Sequence, residues 1–437
     1  MAMIVKNNMS AINTLNILNR NQQALSKSLQ KVSSGMKING AVDDASGYAI
    51  SERMRVQIAS LDQDNQNTQN GNSMMKVAEG AVSSTVDILK TLKQKVIDAA
   101  NDTNTDSDRA TIQKELNQSI DQINDNANIT FNGKYLVDGS HNSKVTATTT
   151  TFTNQALSGA TAGASVLTSM LDSTGRNIGI LSTDTITVSY VKQGQTATTS
   201  FVVSDCTFAN VLTAVSVING STGMSADASF TNIIGTDAAG NVVYTASGNS
   251  AVSIRAGGSG IANSIGGITF GVTHNDGSVN RTANTALDAF DLQIRAQDSS
   301  QDNAMNLQIG TKANQALRVG LTDMRSTALG LTGSNGATLN IGTRNSANAA
   351  INVLDNAISM ALDQQTTLGS VQMRLNYTSQ NLTTASENVQ NAESVIRDAD
   401  MAKEMTEYTK NNVLLQAAQS MLSQANQTAS NVLSLLR

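Results

Sequence analysis

Between residues 11 and 36, apolar side chains recur in alternating steps of four and three: Ala11, Leu15, Leu18, Leu25, Leu29, Val32 and Met36, with Gln22 as the polar member. This heptad stripe predicts an amphipathic helix with a seam for a partner helix. Gly35 and Asn39-Gly40 end it, because both residue types accept positive φ. Asp43-Asp44 then offers acidic groups to a new helix start. The stripe Ala78, Val82, Thr85, Leu89, Leu92, Val96 and Ala99 carries this second helix over about 45–100, roughly 80 Å at 1.5 Å per residue. A third helix is expected from Asp106 to Asn128, with Ile112, Leu116, Ile120, Ile123 and Ala127 on one face. TFNGKYLVDGS (130–140) reads as a turn and a short strand.

From residue 141 to about 285 the period changes. VSYVKQGQTATTSFVV has two β-branched runs around Gly194, which predicts a hairpin. NVVYTA, AVSIRA and GITFGVTHNDG read as further strands, with Asp276-Gly277 a turn and FANVLTAVSVI a helical interruption. Helical patterning then returns. Residues 343–396 carry Ala350, Val353, Leu354, Ala357, Ile358 and Ala361, followed by Leu368, Leu375, Leu382 and Val389 at seven-residue spacing. Residues 398–436 carry Leu415, Ala418, Leu422, Ala425, Ala429, Val432 and Leu436. The fold class expected is therefore mainly α terminal regions, a long coiled coil or bundle, around a central, mainly β surface insert.

Composition sharpens this. Proline is absent from all 437 residues, where average usage would give roughly 22. Very long helices are then free of their strongest breaker. Aromatic residues are 3% and Trp is absent, so cores must come from Leu, Ile, Val, Met and Ala, which suits helix packing. The net charge of -5, with no basic stripe, argues against nucleic acid. No apolar run is long enough to span a membrane. The N-terminus lacks the continuous apolar stretch and cleavage site of a secretory signal. One cysteine, Cys206, forms no intrachain disulfide and reads as a small buried hydrophobe.

Catalytic chemistry is thinly provided. His141 and His274 are the only histidines, and both read as exposed turn residues. H-E-x-x-H and G-x-x-x-x-G-K-[ST] are missing. The stretch Gly258–Asn263 fails G-x-G-x-x-G at its third glycine and reads as a loop. Asp43-Asp44 reads as a helix start, and Met74-Met75 and Met401/Met405 as helix packing. No enzyme, cofactor or metal site is expected. A heptad helix leaves its apolar face exposed until something covers it. The simplest partner for the first helix is the last, and a two-helix pair is too thin to bury both faces. Self-assembly is the natural outcome, and a rotation that does not close gives filaments. An intramolecular bundle remains the alternative.

The residues that carry this pattern also carry a resemblance. SSGMKINGAVDDASGYAISERMRVQI (33–58), AEGAV (78–82), NDTNTDSDRATIQKEL (101–116) and FNGKYL (131–136) follow in order. So do LQIGTKANQALRVGLTDM (307–324, with Thr311-Lys312 intruding), LGSVQMRLNYTSQNL (368–382) and SQANQTASNVLSLLR (423–437). Together they resemble the terminal signatures of bacterial flagellins, over about 1–140 and 300–437. The resemblance implies residues 1–42 and 398–437 as an inner-tube coiled coil (D0-like). Residues 43–140 and 286–397 become a helical domain with a short hairpin (D1-like), and 141–285 a variable outer region.

It further implies a helical homopolymer outside the cell, exported unfolded by the flagellar type III apparatus. Its partners would be copies of itself, an export chaperone on the C-terminal segment, and filament cap and hook-junction proteins. The expected assembly residues are Leu15, Leu18, Leu25, Leu29, Val32, Leu415, Leu422, Val432 and Leu436. Flagellins of some proteobacteria are recognised by the animal innate receptor TLR5. Counting from AEGA, the family's contact arginine falls on Thr91 and its leucine on Lys95, while its glutamate is retained as Glu115; weak activation is expected. A hook–filament junction protein shares the terminal architecture. An insert carrying a protease, or one that binds or carries glycans, are the further alternatives.

Overall fold

The computed structural model describes residues 8–161, 163–211, 224–225, 233–245 and 251–435. Three helices come first: α1 (Met9–Ser34), α2 (Ala45–Ala99) and α3 (Asp106–Ala127). Asn8 caps α1 and Gly35, at φ 70°, closes it. Asp44 starts α2 as expected, its Oδ1 accepting from the Ser46 and Gly47 N–H groups at 3.0 Å each. Without a proline or a competing cap, α2 runs 55 residues, about 82 Å. Its stripe from Ala78 to Ala99 is buried throughout. Thr105 and Asp108 form a capping box on α3. Arg109 reaches back, with Nε donating to Ala99 O at 2.9 Å, and so satisfies a terminal carbonyl of α2.

A small hairpin follows, β1 (Thr130–Phe131) and β2 (Lys134–Tyr135), turning on Asn132 and Gly133 at positive φ. The strand-rich part contains β3 (Thr151–Asn154), β4 (Thr185–Lys192), β5 (Gln195–Val202), β6 (Met224–Ser225), β7 (Ile233–Thr236), β8 (Val242–Tyr244), β9 (Val252–Ala256) and β10 (Ile265–Thr273). It continues through α4 (Arg281–Leu287), β11 (Phe290–Ile294), β12 (Met305–Gln308) and β13 (Ala316–Val319). One sheet has the order β10-β4-β5 and another β11-β3-β9-β6; β7 pairs with β8 and β12 with β13. The expected hairpin is β4–β5, in register from Thr185↔Val202 to Lys192↔Gln195. Its turn is Gln193-Gly194, with φ 55° and 71°, which glycine adopts at no steric cost. Of the helix expected over 208–218, residues 208–211 are helical and 212–218 lie outside the described residues.

The two larger sheets share one core, in which Phe152, Phe208 and Phe270 are buried and Phe201 and Phe290 pack against it. The scarce aromatics thus gather in the β region, where the sequence suggested an aromatic-free interior. Cys206 is half-buried against this core. Gly258–Asn263, expected as a loop, ends in a single 3-10 turn at Ile261–Asn263. Both histidines lie at turns, as expected, but neither is fully exposed. His141 is half-buried, with Nδ1 3.3 Å from Asn303 O. His274 Nδ1 is 2.9 Å from Oδ1 of the buried Asp184.

Two long helices close the chain, α5 (Arg344–Arg397) and α6 (Met401–Leu435). The stripe on α5 is as expected, with Ala350, Val353, Leu354, Ala357, Ala361, Leu368, Leu375 and Leu382 buried. The chain divides into two compact units. The first is Met1–Thr68, Gln308–Gln315 and Tyr377–Arg437; the second is Gln69–Leu307 and Ala316–Asn376.

Within the second unit, β10 lies directly on α5. A Cβ on Gly267 would stand 2.9 Å from Val353 N, so only glycine allows the approach. Asn352 Nδ2 donates to Ile268 O at 2.9 Å and to Asp288 Oδ1 at 3.2 Å. Burial raises the Asp288 carboxyl from 3.8 to about 6, against the bonds from Phe270 N–H and Asn352. Because the folded pKa is raised, the contribution of Asp288 is complete below its unfolded value and is lost as pH rises through 6. Asp288→Asn should therefore flatten the pH dependence between about 4 and 7 and stabilise the protein at pH 8 by about 2 kcal/mol. Urea unfolding at both pH values measures this; an equal loss of stability at each would contradict it.

Candidate assembly surface

Within the first unit, α1 and α6 run antiparallel. Asn8 Nδ2 donates to Ala425 O at 3.1 Å, Asn21 Nδ2 to Leu414 O at 3.2 Å, and Asn411 Nδ2 to Ser28 Oγ at 2.9 Å. Lys31 Nζ lies 3.5 Å from Glu404 Oε1. The covered side of α1 is Ala11, Thr14, Leu18, Asn21, Leu25, Ser28 and Val32. Four of the expected stripe residues, Ala11, Leu18, Leu25 and Val32, therefore face α6. Leu15 and Leu29 do not: they sit on the flank, 45% and 52% exposed. The alternate seam positions are instead Thr14, Asn21 and Ser28, and the latter two hydrogen-bond across to α6. A count of apolar residues misses these polar seam members.

On α6 four of the seven expected stripe residues lie on the covered side. Leu415, Ala418, Leu422 and Ala425 face α1. Val432 lies on the last turns of the helix with its side chain undescribed, and Leu436 lies outside the described residues. Ala418, at 6%, is the one apolar side chain of either helix that is buried among the described residues. Exposed apolar groups surround the seam: Met9, Ile12, Leu15, Ile17 and Leu29 on α1, and Met401, Met405, Val413, Leu414 and Met421 on α6. Met401 and Met405, expected to fill helix packing, are 43% and 46% exposed. Among the described residues, the pair thus leaves ten large apolar side chains at the surface.

The base of the pair is fastened by a residue that sequence patterning did not single out. Arg397, 6% exposed, ends α5. Its Nη1 donates to Glu52 Oε1 at 2.6 Å and its Nε to Met36 Sδ at 3.2 Å. Its guanidinium lies 5.5 Å from the Tyr48 ring centroid, a cation–π contact. The Arg397 bond holds the Glu52 carboxyl below its ordinary value. Backbone bonds Lys37 N to Arg397 O (2.7 Å) and Ala399 N to Gly35 O (2.9 Å) complete the junction. Glu52 lies in the motif-bearing stretch 33–58, but a partner 345 residues away leaves no local signal.

In the second unit, Thr91 is exposed and its hydroxyl donates to Asp87 O at 3.0 Å. Lys95 pairs with Glu115 at 3.1 Å, with side chains 41% and 52% exposed. Thr91 and Lys95 thus lie about one turn apart on α2, and Lys95 reaches Glu115 on α3. Among the described residues, no cluster of His, Cys, Asp and Glu could hold a metal ion, and no helix is long and apolar enough to cross a membrane.

Comparison with known proteins places the helices in a family. The bacterial flagellin N-terminal helical region matches residues 5–142, and the C-terminal helical region matches 351–436. A flagellin of Clostridium tyrobutyricum is 34% identical over 430 residues, covering 97% of this chain and 99% of the relative. The chain belongs to the bacterial flagellin family. A flagellin of Bacillus subtilis (strain 168) is 31% identical over 439 residues, covering 100% of both chains. Among solved structures, FliC from Burkholderia pseudomallei aligns at TM-score 0.26 and 20% identity, over 70% of this chain and 99% of that one. In this flagellin the two matched regions hold α1, α2, α3, α6 and most of α5. Strands β3 to β13 fall between them.

Proposed function

We propose that this flagellin is the structural subunit of a bacterial flagellar filament, and that the exposed flanks of the α1–α6 pair are its contacts with other copies. The observation that carries this is the contrast between a seam holding one buried apolar residue and a surround of ten exposed ones. Covering those ten, at roughly 1 kcal/mol each for partial burial, would yield about 10 kcal/mol, comparable to the cost of association. Residues 1–42 and 398–437 would form the inner tube, 43–140 and 286–397 the surrounding helical domain, and 141–285 the outer region. Leu15 and Leu29 would contact neighbouring copies, while Leu18, Leu25, Val32, Leu415 and Leu422 hold the pair together; Val432 and Leu436 would extend it. Full-length similarity to flagellins favours the filament subunit over a hook–filament junction protein.

The same reading implies export unfolded through the type III apparatus to an extracellular filament. A chaperone would cover the amphipathic C-terminal segment on the way, since a groove for one helical face suits it. Cap and junction proteins would receive it. For TLR5, an exposed Thr91 and a Glu115 held by Lys95 support weak recognition, and full potency in a receptor reporter assay would contradict that. Seeded growth tests the assembly reading: the intact chain is expected to elongate filament seeds, and a chain lacking 1–35 and 405–437 is not. Growth from the truncated chain would overturn it.

A further inference from the structure

One guanidinium in the second unit, that of Arg295, is only partly paired. Arg295 follows β11, and its Nη2 donates to the Asp323 carbonyl oxygen at 3.0 Å. The Asp323 carboxylate does not serve it, because Arg325 takes both oxygens, Nε at 3.0 and 3.1 Å and Nη2 at 2.7 Å. Arg295 is half-buried as a residue, and its Nε is sealed from solvent without a hydrogen-bond partner. Desolvation accordingly pulls its pKa below the ordinary guanidinium value, with the Asp323 charge only partly opposing this. A second orphan lies nearby. Gln364 is 4% exposed, and its Oε1 accepts from the Thr322 N–H at 3.4 Å and from the Thr322 hydroxyl. That N–H fixes which end is oxygen, and leaves Nε2 as a buried donor without an acceptor.

Arg295 borders two adjoining cavities of about 530 and 450 Å³. Lys144 lines the first and Gln364 the second, while Thr322 and Thr367 line both. The one carboxylate of the first cavity, Asp237, is occupied by its own turn, accepting from Ala239 N, Asn241 N and Asn241 Nδ2. Asp291 and Asp363 line the second cavity and are exposed. The first cavity therefore offers cationic and amide donors with no free acceptor charge. An ion removed from water is stabilised only by paired charge and hydrogen bonds. The planar guanidinium fork matches phosphate and carboxylate oxygens.

We propose that the first cavity forms a binding site for a small oxyanion, a phosphate or carboxylate group, with the Arg295 guanidinium as its charged anchor and Lys144 as a further donor. Thermal unfolding of the full chain tests this in sodium phosphate, sodium acetate and sodium chloride at matched ionic strength. Phosphate or acetate is expected to raise the midpoint by about 3 °C in a saturable way that chloride does not reproduce. A shift in both assigns a general oxyanion site, and a shift in one assigns that class. Arg295→Gln should abolish the saturable part. Lys144 is exposed, so Lys144→Ala should fold normally and weaken the apparent affinity several-fold, even if Arg295→Gln does not fold. Line broadening of the phosphate ³¹P signal by wild type, reduced by Lys144→Ala, gives the same comparison without unfolding. Shifts that climb linearly and equally in wild type and Lys144→Ala would be general salt exclusion and would overturn the site, as would no difference from chloride.

Discussion

Replacing both Leu15 and Leu29 by Asp is expected to abolish filament growth while leaving the unfolding of the monomer nearly unchanged. In the isolated chain these side chains stand on the outer flank of α1, about half exposed. A surface substitution there costs within about 0.5 kcal/mol. In a filament the same positions would be covered, and an unpaired carboxylate taken out of water costs at least about 2 kcal/mol. Two such charges per subunit raise the critical concentration roughly a thousandfold. Growth would cease at micromolar protein while the thermal midpoint stayed within a degree or two. Leu18→Asp makes the contrasting case. Leu18 lies in the α1–α6 seam, so this change should loosen the helix pair in the monomer as well as stop growth. Filaments formed by the Leu15/Leu29 variant at wild-type concentration would remove these residues from the assembly surface.

Arg397→Ala is expected to be the most destabilising single change in the first unit, by about 2 kcal/mol. The side chain is almost wholly buried and joins the end of α5 to the loop before α2 and to α2 itself, through Met36, Tyr48 and Glu52. Removal leaves a void and frees the junction from which both α1 and α6 project. Arg397→Lys should restore only part of the stability, because an ammonium lacks the flat fork that donates to two partners while lying over Tyr48. Glu52 adds a pH signature. Its carboxyl is held below its ordinary value by Arg397, so its contribution is present above about pH 4.5 and lost as pH falls. Arg397→Ala should lose that acid sensitivity along with the stability, as read by urea unfolding at pH 4 and 7. A variant as stable as wild type would show that the backbone bonds alone hold the junction.

The helical parts were legible because one face of each is apolar at a fixed period and the breakers are few. Asp44, Asp106 and Gly35 mark observed ends, and α2 matches its expected span. The β4–β5 hairpin was legible from Gln193-Gly194, a local signal. Strand partnership was not. β3 lies between β9 and β11, each about a hundred residues or more away, and nothing near β3 in the sequence names them. Similarly, the polar seam residues Asn21, Ser28 and Asn411 act through hydrogen bonds across α1 and α6, which hydrophobic periodicity cannot register. That is why the expected stripe on α1 mixed seam with flank. Local patterning does not single out Arg295 or Arg397 either, since their importance comes from burial against distant parts of the chain.

The most direct measurement of the central claim is the reactivity of native methionines in monomer and filament. Met9, Met401, Met405 and Met421 lie on the flanks of α1 and α6, 58%, 43%, 46% and 62% exposed, so dilute peroxide should convert them to sulfoxides in the monomer. Mass spectrometry after the same exposure of assembled filaments is expected to find them protected at least about tenfold. Equal oxidation of these four methionines in monomer and filament would contradict the account, because the flanks of the helix pair would then remain open to solvent after assembly.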